Sequence, residues 1–401
     1  MSAAIPSPGP ARLLFIASSL EFGGAEKQLV TLLNHLDRQR LRMHLAYLKR
    51  GASLRPQLRE ERLEEVICCD VRRGIDHRAV QRLRSLCAAR GIDAVICVNP
   101  YSMLYGQLAR SGRSNVRLAT IFHTTLPGSY KERAQMLLYR QLFRRCDLLL
   151  YVCESQRRYW RTRGLRPAAD EVIYNGIDTD WYSDSRPQAE RLAFRRSLGV
   201  GDDEYLIGLC SVLRPEKAHG DLLAAIARLR ARGIPAKALL IGEGPQRPVI
   251  ERAAARLGVA AHVQITGFKE DVRPFIASCD VMTLVSHAVE TFSIAALESM
   301  SLGKPLVMSD LGGACEQVSP GEHGFLFPPG DIEALTAHLS MLSAQPLRAQ
   351  LGEAAARRVR ERFTVQTMTD RFTDCIDRLL EAPTSTLAPG RGERARPRQL
   401  A

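Results

Sequence analysis

The chain has 401 residues, a length that fits two domains of ordinary size rather than one. Its apolar content of 45% and charged content of 25% argue against a disordered chain, and the lack of 18 consecutive apolar residues argues against a membrane span. The net charge of +13 is uneven: residues 1–187 contain 30 Lys+Arg and 18 Asp+Glu, and the remainder contains 26 and 25. Either an acidic partner of the first half or arginine-rich, solvated helices would account for this asymmetry.

Both ends of the chain are predicted to lie outside the folded part. Residues 1–11 lack a basic segment followed by an apolar core, which predicts a flexible N-terminus and not a secretory signal. Residues 383–401 are rich in Pro, Gly and Arg without periodicity, which predicts a disordered tail. The cysteines form no CxxC pair, and Cys97, Cys153 and Cys210 lie in strand-like runs. Buried free thiols in a cytoplasmic protein are therefore predicted.

Short apolar runs alternate with helical segments along the chain, a pattern typical of βαβ units and a parallel sheet. In the first half, strands are predicted at residues 12–19, 42–48, 94–99, 116–122 and 148–153. A second series follows at residues 205–213, 236–242, 262–268, 280–286, 305–310 and 324–327. Between the two series lies NGIDTDWYSDSRP, whose turn-forming residues predict a linker.

This order predicts the α/β class, with two doubly wound Rossmann-like domains. We expect an N-terminal domain over residues 12–182, completed by the last helix at 365–382, and a C-terminal domain over 187–364. Ligands of open α/β sheets bind beyond the carboxyl ends of the strands. Two such domains facing each other therefore predict a site in a central cleft.

The stretch VETFSIAALESMSLGKP contains two glutamates, Glu290 and Glu298, with seven residues between them. Along a helix this separation is about 12 Å, whereas the acid/base carboxylates of sugar hydrolysis lie about 5–9.5 Å apart. A hydrolase dyad is therefore disfavoured. The backbone N–H groups of Thr291, Phe292 and Ser293 stand at the predicted helix start, where an anion can bind. The pattern favours an extended ligand that carries both hydroxyls and phosphates.

The two glutamates and the following LGKPLVMSDLGGACEQV resemble the signature of the family 4 glycosyltransferases, which are retaining enzymes with the GT-B fold. Several further motifs occur in the family's order between about residues 12 and 382. The resemblance implies a nucleotide-sugar donor in the C-terminal domain and an acceptor in the N-terminal domain. It also implies that Glu298 binds the ribose hydroxyls and that Glu290 holds sugar hydroxyls.

The N-terminal half supplies two of these further motifs. Gly23, Gly24 and Glu26 follow the first predicted strand and resemble the family's glycine-rich acceptor-side loop. Two glycines allow a backbone to approach a ligand closely before a helix begins. His123 ends another strand and resembles the histidine that contacts the donor sugar. Taken singly, the glycine pair also fits a tight turn and the histidine a structural role.

In the C-terminal half the resemblance extends to the diphosphate and the nucleobase. Arg214 and Lys217 stand where the family keeps two cations on the donor diphosphate, although alone they would also fit a solvated surface pair. The resemblance assigns catalysis to Glu290, His123, Arg214 and Lys217. It assigns donor binding to Glu298, Arg214, Lys217, Thr291, Phe292, Ser293, Gly242 and Phe268.

The sequence departs from the family pattern at a few positions. The usual glycine after the first glutamate is Thr291, which puts the family's average sugar choice in doubt, and the usual glycine after the lysine is Ala218. Asp178-Thr179-Asp180 has the form of the metal-binding motif of GT-A enzymes, but it lies in the linker, where a turn is favoured. No metal and no cofactor are predicted, because the two cations can neutralise a departing diphosphate.

The basic N-terminal half predicts an anionic or lipid-linked glycan as the acceptor, at the cytoplasmic surface of a membrane. Tyr159 and Trp160 sit among arginines, a mixture typical of interfacial helices. A merely basic helix face is the alternative. Two other functions remain open at this stage: a non-catalytic subunit with this fold, and a nucleotide-sugar epimerase. A dehydrogenase is disfavoured because no GxGxxG follows the first strand, and no motif supports nucleic-acid binding.

Overall fold

Two parallel β-sheets form the framework of the protein. The computed structural model describes residues 9–112, 115–124, 136 and 139–382. The predicted tail at 383–401 and most of the predicted N-terminal segment at 1–11 lie outside these residues. No helix within the described residues combines the length and the apolarity needed to cross a membrane.

The first sheet has seven parallel strands in the order β3-β2-β1-β4-β5-β6-β7. Its strands are β1 (Ala11–Ala17), β2 (Leu41–Tyr47), β3 (Glu65–Cys68), β4 (Ala94–Val98), β5 (Arg117–Phe122), β6 (Leu148–Tyr151) and β7 (Asp170–Val172). Helices Gly24–His35, His77–Ala89, Asn99–Arg110 and Glu154–Thr162 connect them. Two apolar cores, one on each face, bury the central strands, as a parallel sheet requires.

The second sheet has six parallel strands in the order β10-β9-β8-β11-β12-β13. Its strands are β8 (Tyr205–Cys210), β9 (Ala236–Ile241), β10 (Val263–Ile265), β11 (Val281–Leu284), β12 (Leu306–Ser309) and β13 (Gly324–Phe327). Its helices are Gln188–Ser197, His219–Ala231, Arg247–Arg256, Arg273–Ser278, Ile294–Ser301, Ala314–Gln317, Ile332–Met341 and Gln345–Arg362.

The predicted α/β fold with two doubly wound domains is confirmed, and all eleven predicted strands are present within a few residues of their expected bounds. Two short strands, β3 and β7, were not predicted from the sequence. Both lie at edges of the first sheet and both contain acidic residues, so neither has the apolar run by which the other strands were predicted.

Two chain segments cross between the domains, and they lie side by side. Ile177 N–H donates to the carbonyl of Phe363 at 3.0 Å, and Val365 N–H donates to the carbonyl of Ile177 at 2.8 Å. After the second crossing, helix Val365–Glu381 returns to the first domain, where Phe372 stacks on Phe15 of β1 with ring centroids 5.9 Å apart. The N-terminal core thus includes the last helix of the chain.

Candidate active site between the two domains

Glu298 lies within helix Ile294–Ser301, at the face turned toward the first domain. Ser293 caps this helix, since its Oγ accepts a hydrogen bond from the N–H of Ala296 at 3.3 Å. Only 4% of the Glu298 side chain is exposed. The helix begins where the sequence predicts, so Glu290 precedes it and Glu298 lies inside it.

One of the backbone N–H groups expected to bind an anion at this helix start already donates to another residue of the protein. Ser293 N–H donates to Oε1 of Gln317 at 3.1 Å, and Nε2 of Gln317 returns a hydrogen bond to the Ser293 carbonyl at 2.8 Å. The prediction that the Ser293 N–H binds an anion is therefore wrong. Gly312 of the GGACEQ segment packs closely against the same loop. A Cβ at this position would lie 2.4 Å from the Glu290 carbonyl oxygen, so the close approach depends on glycine.

Glu290 and Lys217 form an ion pair, with Nζ 2.6 Å from Oε2. Ser286 Oγ donates to the same oxygen at 3.0 Å. Both charged side chains are largely buried, at 21% exposure for Lys217 and 14% for Glu290. Arg214 is exposed, and within the part of the chain that the structure describes its guanidinium has no hydrogen-bond or ion-pair partner. One of the two predicted cations is thus paired and the other faces solvent.

Two residues beside this pair have left-handed backbone conformations. Ala218, next to Lys217, has φ 48° and ψ 40°, which glycine adopts without strain and alanine does not. Ala218, which stands where the family has glycine, therefore keeps the left-handed turn but lowers the free energy of unfolding. Val289, immediately before Glu290, has φ 60°, an outlier for a β-branched residue. Such strain is concentrated at functional sites in proteins.

Lys27 and Tyr182 meet the second glutamate, and neither was predicted as a site residue. Lys27 Nζ lies 2.5 Å from Oε1 of Glu298, and the Tyr182 hydroxyl donates to the same oxygen at 2.9 Å. Burial alone would lower the pKa of Lys27, but Glu298 and Tyr182 together raise it above its usual range. Lys27 belongs to the first domain and follows directly after Glu26, but no local pattern indicates that it reaches a residue 271 positions later.

His123 lies at the end of β5, beside a small internal cavity. The cavity has a volume of about 30 Å³ and is also lined by Gln28 and Asn175. Asn99 Oδ1 accepts the backbone N–H of His123 at 3.0 Å, and burial lowers the pKa of the His123 ring to about 4. The imidazole is therefore neutral at physiological pH. Asn175 also donates to the Phe292 carbonyl at 3.0 Å, which links the cavity to the loop after Glu290.

The predicted acceptor-side loop faces the same helix start. Gly23 is extended, with φ of −163°, so its backbone does not require glycine. A Cβ at Gly23 would lie 2.4 Å from Oε2 of Glu26, whose side chain folds back over the loop, and one at Gly24 would lie 3.8 Å from Ile294. Burial raises the pKa of Glu26, and a hydrogen bond from the backbone N–H of the same residue lowers it by a smaller amount.

Gly242 and Phe268 occupy different positions in the second domain. Gly242 has φ 147°, and a Cβ there would lie 2.0 Å from the Ser211 carbonyl oxygen, so chain packing alone requires glycine. Phe268 is 56% exposed, and its ring centroid lies 4.9 Å from that of Phe22, which precedes the acceptor-side loop. The two rings meet across the domain boundary.

Two further expectations are settled by local contacts. Asp178 forms the predicted turn, because its Oδ1 accepts the N–H groups of Asp180 at 3.1 Å and Trp181 at 3.0 Å.

Trp160 is buried to 3% exposure and donates its indole N–H to the Thr124 carbonyl at 2.9 Å. The prediction that Trp160 is available to a membrane interface is therefore wrong.

Glu316 makes another contact between the domains. Its carboxylate accepts the N–H groups of Ser155 at 2.7 Å and Glu154 at 2.9 Å, at the start of helix Glu154–Thr162. Tyr174 also donates its hydroxyl to this carboxylate at 3.0 Å. A side chain of the second domain therefore caps a helix of the first.

Comparison with known proteins places this arrangement in a family. Residues 22–181 match the model of Glycosyltransferase Family 4, and residues 190–358 match that of Glycosyl transferases group 1. A GDP-mannose-dependent alpha-(1-6)-phosphatidylinositol monomannoside mannosyltransferase of Mycolicibacterium smegmatis is 31% identical over 63% of this chain and 68% of its own length. The chain belongs to the family 4 glycosyltransferases. Putative glycosyltransferase EpsD of Bacillus subtilis is 27% identical to this glycosyltransferase, and the match covers 71% of this chain and 77% of the length of EpsD.

Solved structures agree on the fold. The crystal structure of HepE of Anabaena in complex with UDP has a TM-score of 0.81 at 23% identity and covers 92% of this chain and 100% of its own. Sucrose-phosphate synthase of Thermosynechococcus elongatus has a TM-score of 0.76 at 18% identity, with 92% and 99% covered. The predicted GT-B fold is confirmed, and the protein is a glycosyltransferase.

Proposed function

We propose that this glycosyltransferase transfers a sugar from a nucleotide-sugar donor, with retention of anomeric configuration. The observation that carries the proposal is the pairing of both motif glutamates with lysines: Glu290 with Lys217 of the same domain, and Glu298 with Lys27 of the other domain. A buried carboxylate without a counter-charge is costly, and in each pair the lysine supplies that counter-charge while the carboxylate can still accept hydroxyls. Arg214 adds an exposed cation next to the first pair.

The proposed reaction breaks the bond between the sugar C1 and the diphosphate and forms one between C1 and the acceptor oxygen on the same face. The acceptor proton passes to the departing diphosphate. Arg214 and Lys217 stabilise the negative charge that develops there, Glu290 holds sugar hydroxyls, and the neutral His123 supplies a hydrogen bond without adding charge. No metal takes part in this scheme.

The identity of the nucleotide is open to direct measurement. The Mycolicibacterium relative is named as GDP-mannose-dependent, whereas HepE was crystallised with UDP and with UDP-glucose. We expect UDP, GDP or ADP, alone or as a sugar conjugate, to raise the melting temperature in EDTA as well as in Mg²⁺. At 100 times Kd a ligand stabilises the fold by about 2.7 kcal/mol. A protein that no nucleotide stabilises would contradict the proposed function.

Replacing Arg214 tests the diphosphate assignment, because this side chain is exposed and its loss breaks no described contact. Arg214→Ala is expected to lower kcat/KM by about 100-fold, the typical effect of losing one charge-stabilising donor, and to leave the unfolding midpoint unchanged. Arg228→Ala, on the exposed face of helix His219–Ala231, is the matched control. Lys217→Ala also strips Glu290 of its partner, so we expect it to lose both transfer and stability. Normal transfer by Arg214→Ala would refute the assignment.

We further propose that the acceptor is an anionic or lipid-linked glycan, reached at the cytoplasmic face of a membrane. The +12 net charge of residues 1–187 supports this, and two relatives are named for acting on phosphatidylinositol mannosides. Arg158, Arg163 and Arg166 are exposed, whereas Arg157 and Arg161 pair with Asp170. We expect flotation with vesicles containing anionic lipid and none with zwitterionic vesicles. Binding that is indifferent to lipid charge would contradict this part of the proposal.

A further inference from the structure

Two polar side chains converge on a single carboxylate oxygen of Glu298 at the domain boundary. Lys27 Nζ and the Tyr182 hydroxyl both bond Oε1 of Glu298, at 2.5 Å and 2.9 Å, and they lie 3.1 Å from each other. Lys27 comes from the first turn of helix Gly24–His35, directly after the acceptor-side loop. Glu298 belongs to the other domain. The donor side and the acceptor side of the cleft therefore share one hydrogen-bonded cluster.

The cluster leaves half of the carboxylate open. Among the described residues, no hydrogen bond reaches Oε2 of Glu298, although both donors lie on Oε1. The side chain of Glu298 is nearly buried, whereas 36% of the Lys27 side chain is exposed. The Tyr182 hydroxyl stays protonated, because burial and the neighbouring carboxylate raise its pKa. Two fixed donors on one oxygen hold the rotamer of Glu298 and leave the second oxygen as an acceptor.

We propose that Lys27 is a positioning residue for the donor ribose. It supplies the counter-charge of Glu298 and holds its carboxylate so that Oε2 accepts the ribose hydroxyls. Lys27 touches no reacting atom and acts only through Glu298. This inference rests on the proposed function, because it takes the ligand to be a nucleoside diphosphate or its sugar conjugate. It adds that recognition of the ribose in one domain depends on a side chain of the other.

A purely structural ion pair is the competing explanation, and the two explanations differ in one measurable quantity. Loss of a structural pair weakens all nucleotides equally. Loss of a positioning residue weakens only those that carry ribose hydroxyls. The informative quantity is thus the ratio of the Kd of a 2′,3′-dideoxynucleoside diphosphate to that of the ordinary nucleotide.

The experiment measures this ratio by calorimetry on the full chain, with UDP and 2′,3′-dideoxy-UDP, or with the guanine pair if GDP is what stabilises the wild type. Hydrogen bonds to a charged group are strong, so we expect a wild-type ratio of about tenfold or more. Lys27→Met is expected to bring the ratio close to one. Lys27→Gln, which keeps a donor but loses the charge, should also lower it. Lys49→Met, at an exposed position of the first domain, should not change it.

The outcomes of this experiment distinguish a failure of the inference from a failure of the proposed function. A wild-type ratio in either Lys27 variant would overturn the inference and leave the proposed function standing, since the nucleotide would still bind. If the wild type bound no nucleotide, the proposed function would fail, and the inference with it. Should Lys27→Met not fold, Lys27→Gln carries the test by itself, because it retains a hydrogen-bond donor to Glu298.

Discussion

Glu316 offers a way to weaken the domain boundary without touching the donor site. Its carboxylate accepts the N–H groups of Glu154 and Ser155 and the hydroxyl of Tyr174. Glu316→Ala removes all three hydrogen bonds at once. Solvent reaches the N–H of the exposed Glu154, so we assign about 1 kcal/mol to each of two effective hydrogen bonds. Loss of the charge at the helix start adds about 0.5 kcal/mol. The expected loss of unfolding free energy is about 2–3 kcal/mol.

Urea denaturation and amide hydrogen exchange measure this effect independently. We expect a lower denaturation midpoint and faster exchange at Ser155, since 1.4 kcal/mol corresponds to about tenfold in an equilibrium. Glu322→Ala is the matched control, because that side chain is 66% exposed and its nearest partner, His323, lies 3.8 Å away. An unchanged midpoint together with unchanged exchange in Glu316→Ala would refute the assignment of this contact.

Two further predictions concern the backbone and the buried imidazole. Ala218→Gly should stabilise the protein by about 0.5–1 kcal/mol in urea denaturation, because relief of the left-handed strain exceeds the added freedom of the unfolded chain. Ala224→Gly, inside helix His219–Ala231, should instead destabilise it; loss of stability in both variants would contradict the strain argument. His123 has a pKa of about 4 when folded and about 6.5 when unfolded. The unfolded state therefore binds more protons between these values. The contribution of His123 to the free energy of unfolding is present above pH 6.5 and is lost as the pH falls toward 4, by about 3 kcal/mol. His123→Phe should flatten this part of the stability curve, and an identical slope in the variant would contradict it.

The fold was predictable because its signals are local. Each of the eleven predicted strands is an apolar run of ordinary length, and the linker carries its own turn chemistry, as at Asp178. The missed strands β3 and β7 are short edge strands with acidic residues. Asp170 of β7 is held by Arg157 and Arg161, a contact between side chains that no apolar pattern reveals.

The candidate site was predictable only as far as its motifs extend. Glu290 and Lys217, taken from separate motifs, are brought into contact by the fold. Lys27 was missed although it directly follows Glu26 of the acceptor-side loop, because its partner is fixed by how the two domains meet. Ser293 was misjudged because the acceptor of its N–H is a glutamine on another helix of the same domain, a contact that its own motif does not indicate. Sequence reasoning supplies the residue types, and tertiary packing decides which of their donors are already used.

The return of helix Val365–Glu381 to the first domain also bears on the order in which the protein assembles during synthesis. The C-terminal domain is continuous in sequence through Arg362, so it can close as soon as that residue has left the ribosome. The N-terminal domain cannot, because Phe15 and its neighbours in β1 are covered by Phe372 and the rest of that helix. The N-terminal domain is therefore completed after the C-terminal one, and its apolar sheet face must be kept from aggregating until helix Val365–Glu381 has been translated.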